Sequence, residues 1–439
     1  MIIAVVALGG LIALVWLVSE GLAAQAPWPL VSRVLWLTGC LVLLCGDAAV
    51  VLMLAGGLIC LHRDALETRG LPYAPRRPRE WRAGPVVRGI RAALRALGAI
   101  KGRRPGQLEL RPGELVEVRQ LDEILETLDD RGTRDSLPFS PEMAALCGRQ
   151  ARVLRRVDKV YDWIFRTGLR RMQDTVFLEG SRCDGSAHCG CQADCQMLWK
   201  EVWLQRPATR RERPAASVTT SAPQLDLYRL TQRVDAKAAE PLFVCQMTQL
   251  PSATTPLSWR DPRHYLRDLL TGNVRAGPFV VGIAIVLFNS AQRRSGGVRF
   301  PMRCPGKSRK SPHAVLDMKP GELVRIKSKR EIESTLDADF RNWGLWFDPE
   351  MVRFCGGEHR VLMRVNRQID EKSGKMITFT NPCIVLEGVT ATGEYKAFAL
   401  LNERIYWREI WLERVPAEPA QVSCLAREVP AHNGRSVSS

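Results

Sequence analysis

The sequence predicts an α+β, mainly β protein in which an N-terminal transmembrane helical hairpin precedes two copies of a small SH3-like β-barrel module. Three observations predict this fold class: two long apolar runs near the N-terminus, a self-match of the chain at an offset of 208 residues, and period-two apolar patterns inside the matched segments. The length of 439 residues suits several folded units rather than one. We predict the following parts: two transmembrane helices in 1–62, a basic juxtamembrane segment in 63–106, module 1 in 107–206, a linker with a helical segment in 207–315, module 2 in 316–416, and a disordered tail in 417–439.

The two apolar runs predict the hairpin. Residues 2–18 are apolar over 17 positions, and residues 34–61 over 28 positions apart from one Asp; these lengths suit membrane-spanning helices. Residues 63–104 carry 12 Lys or Arg against three acids, whereas the loop between the runs carries only Arg33. The positive-inside rule then places both modules in the cytoplasm, at a bacterial inner membrane. A cleaved signal peptide is the alternative, because Ala24-Gln25-Ala26 resembles a cleavage site, although no basic residue precedes the first run.

The net charge of +17 indicates an anionic partner, either nucleic acid or lipid. Nine of the excess charges fall in residues 63–104 (12 minus 3), where membrane topology already explains them. Residues 86–100 there predict a basic amphipathic helix, whose Arg face either meets anionic headgroups or is an ordinary solvated helix face. Residues 279–288 are apolar but too few to span a bilayer. The expected partners are therefore the membrane and another protein, and the charge distribution argues against nucleic acid.

The chain matches itself when it is shifted by 208 residues. The matched elements are a Pro-Gly-Glu-Leu-Val opening, a Pro-Glu-Met element followed by Cys-Gly, a Leu-Glu-Gly element and a Trp-x-Glu-x-Trp-Leu ending. They begin at Pro112, Pro141, Leu178 and Trp199 in the first copy, and at Pro320, Pro349, Leu386 and Trp407 in the second. Such self-similarity indicates a duplicated module.

Within each module the pattern is mostly that of strands. Residues 114–119 alternate polar and apolar side chains, and residues 361–380 read as a hairpin around a Gly-containing turn. Residues 199–204 also alternate and predict a final strand. Glu179 and Glu387, like Glu201 and Glu409, recur at equivalent positions of the two copies, so we expect all four to make framework hydrogen bonds rather than to catalyse a reaction.

Four of the 13 cysteines lie in one short stretch of module 1. Cys183, Cys189, Cys191 and Cys195 share it with His188, and Gly and other small residues between them permit a tight loop. Thiolate sulfur together with imidazole nitrogen selects Zn²⁺ or an iron centre over Mg²⁺ or Ca²⁺. We predict Cys183, His188, Cys191 and Cys195 as metal ligands, in a C-x4-H-x2-C-x3-C spacing. Four protein ligands favour a closed, structural zinc site.

Several alternatives to this zinc site stay open. Cys147 or Cys189 are alternate ligands. Iron or an iron–sulfur cluster is the alternative to Zn²⁺ because of the number of cysteines. A redox or disulfide pair, or passive cysteines, are further interpretations, and a cytoplasmic compartment favours the metal.

The second copy lacks the whole predicted ligand set. Ala391, Lys396, Ala399 and Glu403 align with the four predicted ligands. If the four residues bind one shared metal ion, we expect them to be lost together, because the loss of one ligand removes the reason to keep the others. We therefore expect module 2 to fold without a metal.

The PGELVEVR opening, the PEM-x3-CG element, the LEG-x2-C-x4-H-x2-C stretch and the WKEVWL ending resemble an uncharacterised bacterial tandem-repeat family. The resemblance covers roughly residues 80–206 and 240–415. It implies cytoplasmic metal binding and a C-x4-H-x2-C pattern in both copies. This chain matches that pattern at Cys183, His188 and Cys191 and departs from it in the second copy.

Three function classes follow from these patterns. The first is a membrane-anchored cytoplasmic scaffold or accessory protein with a structural Cys/His metal site. The second is a metal-dependent or redox enzyme that uses the Cys183–Cys195 loop. The third is a nucleic-acid-binding protein. We favour the first because no complete catalytic motif is present. Asp261, His264 and Asp268 lie at helical spacing, where they could bind a metal or act as acid and base, but we expect a surface helix cap there.

Overall fold

The computed structural model describes residues 56–63, 107–207, 226–233, 240–297, 300–301, 303–306, 311–391, 393, 398–399 and 403–416. Residues 56–63 form the first helix, α1. Most of the predicted hairpin, the basic amphipathic helix at residues 86–100 and the C-terminal tail lie outside the described residues.

Module 1 consists mainly of short antiparallel strands. These are β1 (Leu115–Val118), β2 (Thr133–Arg134), β3 (Leu137–Pro138), β4 (Gln150–Arg156), β5 (Lys159–Asp162), β6 (Gly168–Arg171), β7 (Thr175–Arg182), β8 (Gln196–Lys200) and β9 (Leu204–Gln205). The helical elements between them are α2 (Leu121–Leu125) and 3-10 helices at Pro141–Leu146, Ser186–His188 and Glu201–Trp203.

The connector between the modules is folded over much of its described length. Its elements are α3 (Leu227–Leu230), β10 (Gln232–Arg233), β11 (Leu242–Phe243), β12 (Thr255–Pro256), α4 (Arg263–Thr271) and α5 (Ala276–Ser295). Strand β12 pairs with β6 of module 1 and completes the three-stranded sheet β12-β6-β5. The connector therefore packs as part of module 1 rather than as a free linker.

Module 2 repeats the element order of module 1. Its elements are β13 (Leu323–Ile326), α6 (Lys329–Ser334), β14 (Arg341–Asn342), β15 (Leu345–Trp346), a 3-10 helix at Pro349–Phe354, β16 (Glu358–Ile369), β17 (Met376–Thr390), β18 (Arg404–Trp407), a 3-10 helix at Glu409–Trp411 and β19 (Leu412–Arg414). The hairpin β16–β17 covers the same stretch of the repeat as β4, β5, β6 and β7 of module 1, but in two continuous strands.

Both modules contain a five-stranded antiparallel sheet of the same strand order. The orders are β8-β7-β4-β1-β9 in module 1 and β18-β17-β16-β13-β19 in module 2. The registers agree as well: Leu115 pairs with Arg152, and Leu323 pairs with Arg360 at the same offset. Strand β1, between β4 and β9, is short and apolar on one face, with Val116 and Val118 fully buried, as period-two alternation requires.

A buried glutamate organises each module. The carboxylate of Glu201 accepts hydrogen bonds from the backbone N–H groups of Leu108 (2.8 Å), Glu109 (3.0 Å) and Leu110 (3.1 Å). Glu409 does the same for residues 316–318, at 2.7 to 3.3 Å. The prediction of framework hydrogen bonds is confirmed for these two glutamates, whereas the side chains of Glu179 and Glu387 are exposed.

The predicted fold class is wrong. The described residues form a mixed α/β protein with six sheets and with helices in both modules and the connector, not a mainly β chain of closed barrels. The predicted strand 199–204 is interrupted by the 3-10 helix Glu201–Trp203, because Glu201 turns inward to the backbone donors of residues 108–110. That turn separates β8 from β9, and in the described part of the chain these two edge strands do not pair with each other.

The described residues do not show an N-terminal transmembrane hairpin either. Among them, one helix is long and apolar enough to cross a membrane, and it is α5, with 20 residues. The apolar stretch 279–288 is thus part of a helix twice its length, since Pro278 fits the first turn and Gly296 ends the helix in the left-handed region. Helix α1 packs on α5 where Gly56 lies against the Ala284 carbonyl.

The two modules dock directly through the cysteine-rich loop of residues 183–195. The N–H of Gln192 donates to the carbonyl of Arg367 (3.1 Å), and the Gln192 side-chain oxygen accepts from the N–H of Asn366 (2.7 Å). Arg404 pairs with Asp194 at 2.5 Å. These contacts place the long hairpin of module 2 over the loop that carries the predicted ligands.

Candidate metal centre

The loop from Cys183 to Cys195 is closed at its neck by a hydrogen bond from the Cys183 N–H to the Cys195 carbonyl (2.9 Å). Inside it, Gly185 has φ +76°, and a Cβ at this position would lie 2.0 Å from the Cys191 carbonyl oxygen. Only glycine fits such a position without a shift of the backbone. The local sequence therefore folds the loop back on itself and turns its cysteines inward.

Three donor atoms meet at the base of this loop. The Oε1 atom of Glu142, on the 3-10 helix Pro141–Leu146, lies 3.0 Å from His188 Nδ1 and 3.6 Å from Cys183 Sγ. All three donor atoms lie within 4.8 Å of one another, and this is the one such set of three or more among the described residues. Both nitrogens of His188 have oxygen neighbours, since Nε2 is 3.2 Å from the Val244 carbonyl.

The Glu142 carboxylate is only partly satisfied by the protein. Its Oε1 atom also accepts from the Ala187 N–H (3.2 Å), whereas its buried Oε2 atom has no hydrogen-bond partner among the described residues. Burial alone would raise the pKa of Glu142, but the hydrogen bond and charge of His188 outweigh it and lower the pKa. The carboxylate is thus held ionised with one oxygen free to meet a cation.

Module 2 keeps this glutamate without the other two donors. Glu350 occupies the position equivalent to Glu142, and its Oε2 atom accepts from the Gly393 N–H at 3.0 Å. Ala391 stands where module 1 has Cys183. The glutamate therefore anchors the loop in both modules, and the sulfur and imidazole donors are specific to module 1.

A cavity of about 30 Å³ is lined by two of the three donor residues, Cys183 and His188, with room for one or two water-sized groups. Four cysteines line it: Cys183, Cys191, Cys195 and Cys245. Cys245 follows β11 in the connector, 50 residues from Cys195 in sequence. No local spacing in the sequence marks Cys245, because only the packing of the connector against module 1 brings it to the loop.

Burial raises the pKa of all four thiols that line the cavity. The pKa of Cys245 rises to about 11. Glu371, in the turn between β16 and β17, also lines the cavity; burial and the nearby charges of Glu403, Asp370 and Asp162 raise its pKa to about 8. In the described part of the chain no Lys or Arg lines the cavity, so only a cation from solution would favour the thiolates.

The four predicted ligands Cys183, His188, Cys191 and Cys195 all line this one cavity. The two alternates lie elsewhere. Cys147 ends the 3-10 helix Pro141–Leu146, where burial and the charge of Asp122 raise its pKa to about 11, and the Cys189 side chain is exposed. The donors that sequence reasoning missed are Glu142 and Cys245.

A second cluster of ionisable groups lies on α4, away from the cavity. Lys159 Nζ is 2.6 Å from Asp268 Oδ2 and 2.9 Å from His264 Nδ1, with all three residues buried. The expected surface helix cap is therefore wrong for His264 and Asp268, although Asp261 accepts from the N–H of Arg263 at the start of the helix. Burial, and then the charge of Lys159, lowers the pKa of His264 to about 4.

No protein-family model matches the chain, and a search of curated proteins finds no similar sequence. Its function is therefore argued from the site itself.

Proposed function

We propose that the protein binds Zn²⁺ through Glu142, Cys183 and His188 and that this ion is structural. The observation that supports the proposal is the separation of the donor atoms. Zinc bonds of about 2.0 to 2.1 Å to nitrogen and oxygen and about 2.3 Å to sulfur, at tetrahedral angles, separate the donors by about 3.3 to 3.6 Å. The oxygen–sulfur distance of 3.6 Å lies in this range, and the oxygen–nitrogen distance of 3.0 Å, here that of a hydrogen bond, would lengthen by about 0.3 Å on binding the ion.

Burial supports a structural role. The side chains of Glu142 and His188 are only 3% and 1% exposed, which leaves a substrate little access. The ion joins the 3-10 helix that carries Glu142 to the loop on which module 2 docks. The protein is then a scaffold or accessory protein in which zinc fixes the docking surface of module 1, and its predicted membrane location stays a prediction.

Metal analysis of the purified full-length protein tests the proposal, with His188→Asn as the variant and His359→Asn, a histidine of module 2, as the matched control. We expect bound zinc in the wild type and in the control, and loss of this ion in His188→Asn. A wild-type protein that carries no transition metal and takes up none from a zinc-containing buffer contradicts the proposal. Unchanged binding in His188→Asn excludes this donor set.

An iron–sulfur centre is the second candidate, because four thiols line one cavity. The absorption spectrum separates the two: zinc leaves the protein colourless, whereas an iron–sulfur cluster absorbs visible light.

A metalloenzyme is favoured by one feature, the three-residue donor set, which leaves a fourth position open. Hydrogen exchange measured before and after a chelator removes the zinc distinguishes a structural from a catalytic ion. If the ion is structural, its removal speeds exchange in the loop 183–195; if it is purely catalytic, exchange there does not change.

A further inference from the structure

We propose that Cys183 and Cys195 form a redox site, in which hydrogen peroxide oxidises the two thiols to a disulfide, withdraws Cys183 from the zinc site and releases the ion. The release of the ion rests on the zinc site proposed above, whereas the disulfide rests on the geometry of the loop alone. Both cysteines line the cavity. Only Cys183 belongs to the donor set with Glu142 and His188, so Cys195 is a neighbouring thiol to which the zinc site gives no role.

The two cysteines lie opposite each other on paired strands. Strand β7 ends at Arg182, which pairs with Gln196 at the start of β8, so Cys183 and Cys195 are the next pair in the same antiparallel register. The N–H of Cys183 donates to the Cys195 carbonyl at 2.9 Å, which extends the strand pairing to them. Residues bonded in this way have Cα atoms about 5.5 Å apart and side chains on the same face. A disulfide requires Cα atoms about 4.4–6.8 Å apart, so the strand pair already meets this requirement.

The other cysteines near the cavity are placed differently. Cys191 Sγ accepts the N–H of Ile369 from module 2 at 3.4 Å. Cys245 belongs to the connector, beyond the end of β11. Cys189 is exposed and does not line the cavity. Among the described cysteines, Cys195 is therefore the one that the strand register sets against Cys183.

The cavity gives a small oxidant access to this pair. It has room for one or two water-sized groups, and hydrogen peroxide has two heavy atoms. Cys183 and Cys195 are each partly exposed rather than fully buried. A bulky oxidant does not fit the same space, which is why the proposal names hydrogen peroxide.

The oxidation consumes one hydrogen peroxide molecule and two thiols. Bound zinc would keep Cys183 as the thiolate, the form that attacks a peroxide. The Cys183 sulfur takes one oxygen as a sulfenic acid, the O–O bond breaks, and the other oxygen leaves as hydroxide, which takes up a proton to become water. The Cys195 thiol then attacks the sulfenic sulfur. An S–S bond forms, and the sulfenic hydroxyl leaves with the thiol proton as a second water.

Formation of the disulfide dismantles the donor set. The thiolate is the metal ligand among the forms of cysteine, so Cys183 ceases to bind the ion once its sulfur is joined to Cys195. Glu142 and His188 then remain as two donors, fewer than the three or four protein ligands of a zinc site. The ion leaves, and reduction of the disulfide restores the site.

Peptide mapping of the full-length protein, treated with hydrogen peroxide and digested without reduction, tests the disulfide. Cleavage before aspartate places Cys183 on peptide 174–183 and Cys195 on peptide 194–225, with the other two cysteines of the loop on peptide 184–193. We expect peptides 174–183 and 194–225 to be linked after oxidation and separate before it. A chromophoric chelator, added to the same samples, should detect one zinc ion per chain released as the link forms. A phosphine reductant and added Zn²⁺ should return the ion.

Two cysteine variants separate the redox role of Cys195 from a general sensitivity of the loop. Cys195→Ser should bind one zinc ion but yield no linked peptide. Without a partner thiol its Cys183 is oxidised further, to a sulfinic acid that the phosphine does not reduce, so the ion does not return. Cys189→Ser, which changes the exposed cysteine of the same loop, is the control and should behave as the wild type.

The outcomes separate this inference from the zinc site. Bound zinc without a linked peptide after oxidation overturns the redox site and leaves the zinc site. A linked peptide in a protein that never binds zinc overturns the zinc site and, with it, the release of the ion. A linked peptide that forms while zinc stays bound contradicts the withdrawal of Cys183. The wild-type peptide map requires no variant, so it decides even if Cys195→Ser does not fold.

Discussion

Replacing Glu201 by Gln should destabilise module 1 more than the equivalent change destabilises module 2. Glu201 accepts three backbone N–H groups and pairs with Arg156, and their side chains are 1% and 2% exposed. Breaking a buried ion pair typically costs about 3–5 kcal/mol. Arg156 keeps Asp158 as a partner at 3.3 Å, but the Gln side chain offers only one acceptor oxygen to the three backbone N–H groups. We therefore expect module 1 to lose about 4 kcal/mol in its free energy of unfolding.

Glu409→Gln is the matched control that the duplication provides. Its partner Arg364 lies 2.5 Å away and is 25% exposed, so water replaces the lost carboxylate in part. Burial alone would raise the pKa of Glu409, but the N–H groups of Leu316 and Met318 and the charge of Arg364 lower it, which shows that the ionised form is the bonded one. We expect a loss of about 2 kcal/mol in module 2.

Hydrogen exchange of the full-length protein, read by mass spectrometry, reports the two modules separately. The expected losses correspond to exchange faster by about 10³ in module 1 for Glu201→Gln and by about 30-fold in module 2 for Glu409→Gln. Equal losses in the two modules, or a loss below about 1 kcal/mol for Glu201→Gln, would refute the reasoning from burial.

Three further predictions concern the loop, the metal and pH. Gly185→Ala should abolish metal binding because its Cβ would meet the Cys191 carbonyl. Gly180→Ala, also at positive φ but with open space around it, should keep the metal and lower the free energy of unfolding by about 1 kcal/mol. Metal analysis checks both variants, and equal metal binding in the two contradicts the steric argument. Removal of zinc with a chelator should lower the melting temperature and speed exchange in residues 183–195; an unchanged melting curve argues against a structural ion. Because the pKa of His264 is depressed from 6.5 to about 4, its contribution to stability is present above pH 6.5 and is lost as the pH falls toward 4, by about 3 kcal/mol. In denaturant titrations the free energy of unfolding of His264→Gln should fall less between pH 6.5 and pH 4 than that of the wild type. The same pH dependence in both proteins would contradict the prediction.

Local patterns predicted the elements whose stabilisation is local. The alternation at 114–119 and the Gly-containing turn of the hairpin 361–380 correspond to β1 and to β16–β17. The offset of 208 residues also recurs in the strand registers of the two sheets. The strand predicted at 199–204 failed because Glu201 is held by donors about 90 residues away, which no local period reports.

The candidate site was predictable only in part for the same reason. The spacing of Cys183, His188, Cys191 and Cys195 marked a loop, and the structure brings these side chains to one cavity. Glu142 was visible only as part of a recurring Pro-Glu-Met element, and its role in module 1 depends on the partners that the loop supplies. Tertiary pairing alone brings the remaining donors to the cavity, so single-sequence reasoning had no signal for them.

The donors around the cavity are far apart along the chain, and this orders the assembly of the centre in time. At a synthesis rate of 5–20 residues per second, Glu371 follows Cys191 out of the ribosome by about 10–40 s. During that interval Glu142, Cys183 and His188 have already been synthesised, so the proposed zinc ion would bind before module 2 exists. The other thiols that line the cavity would stay open to oxidation until the hairpin β16–β17 covers them.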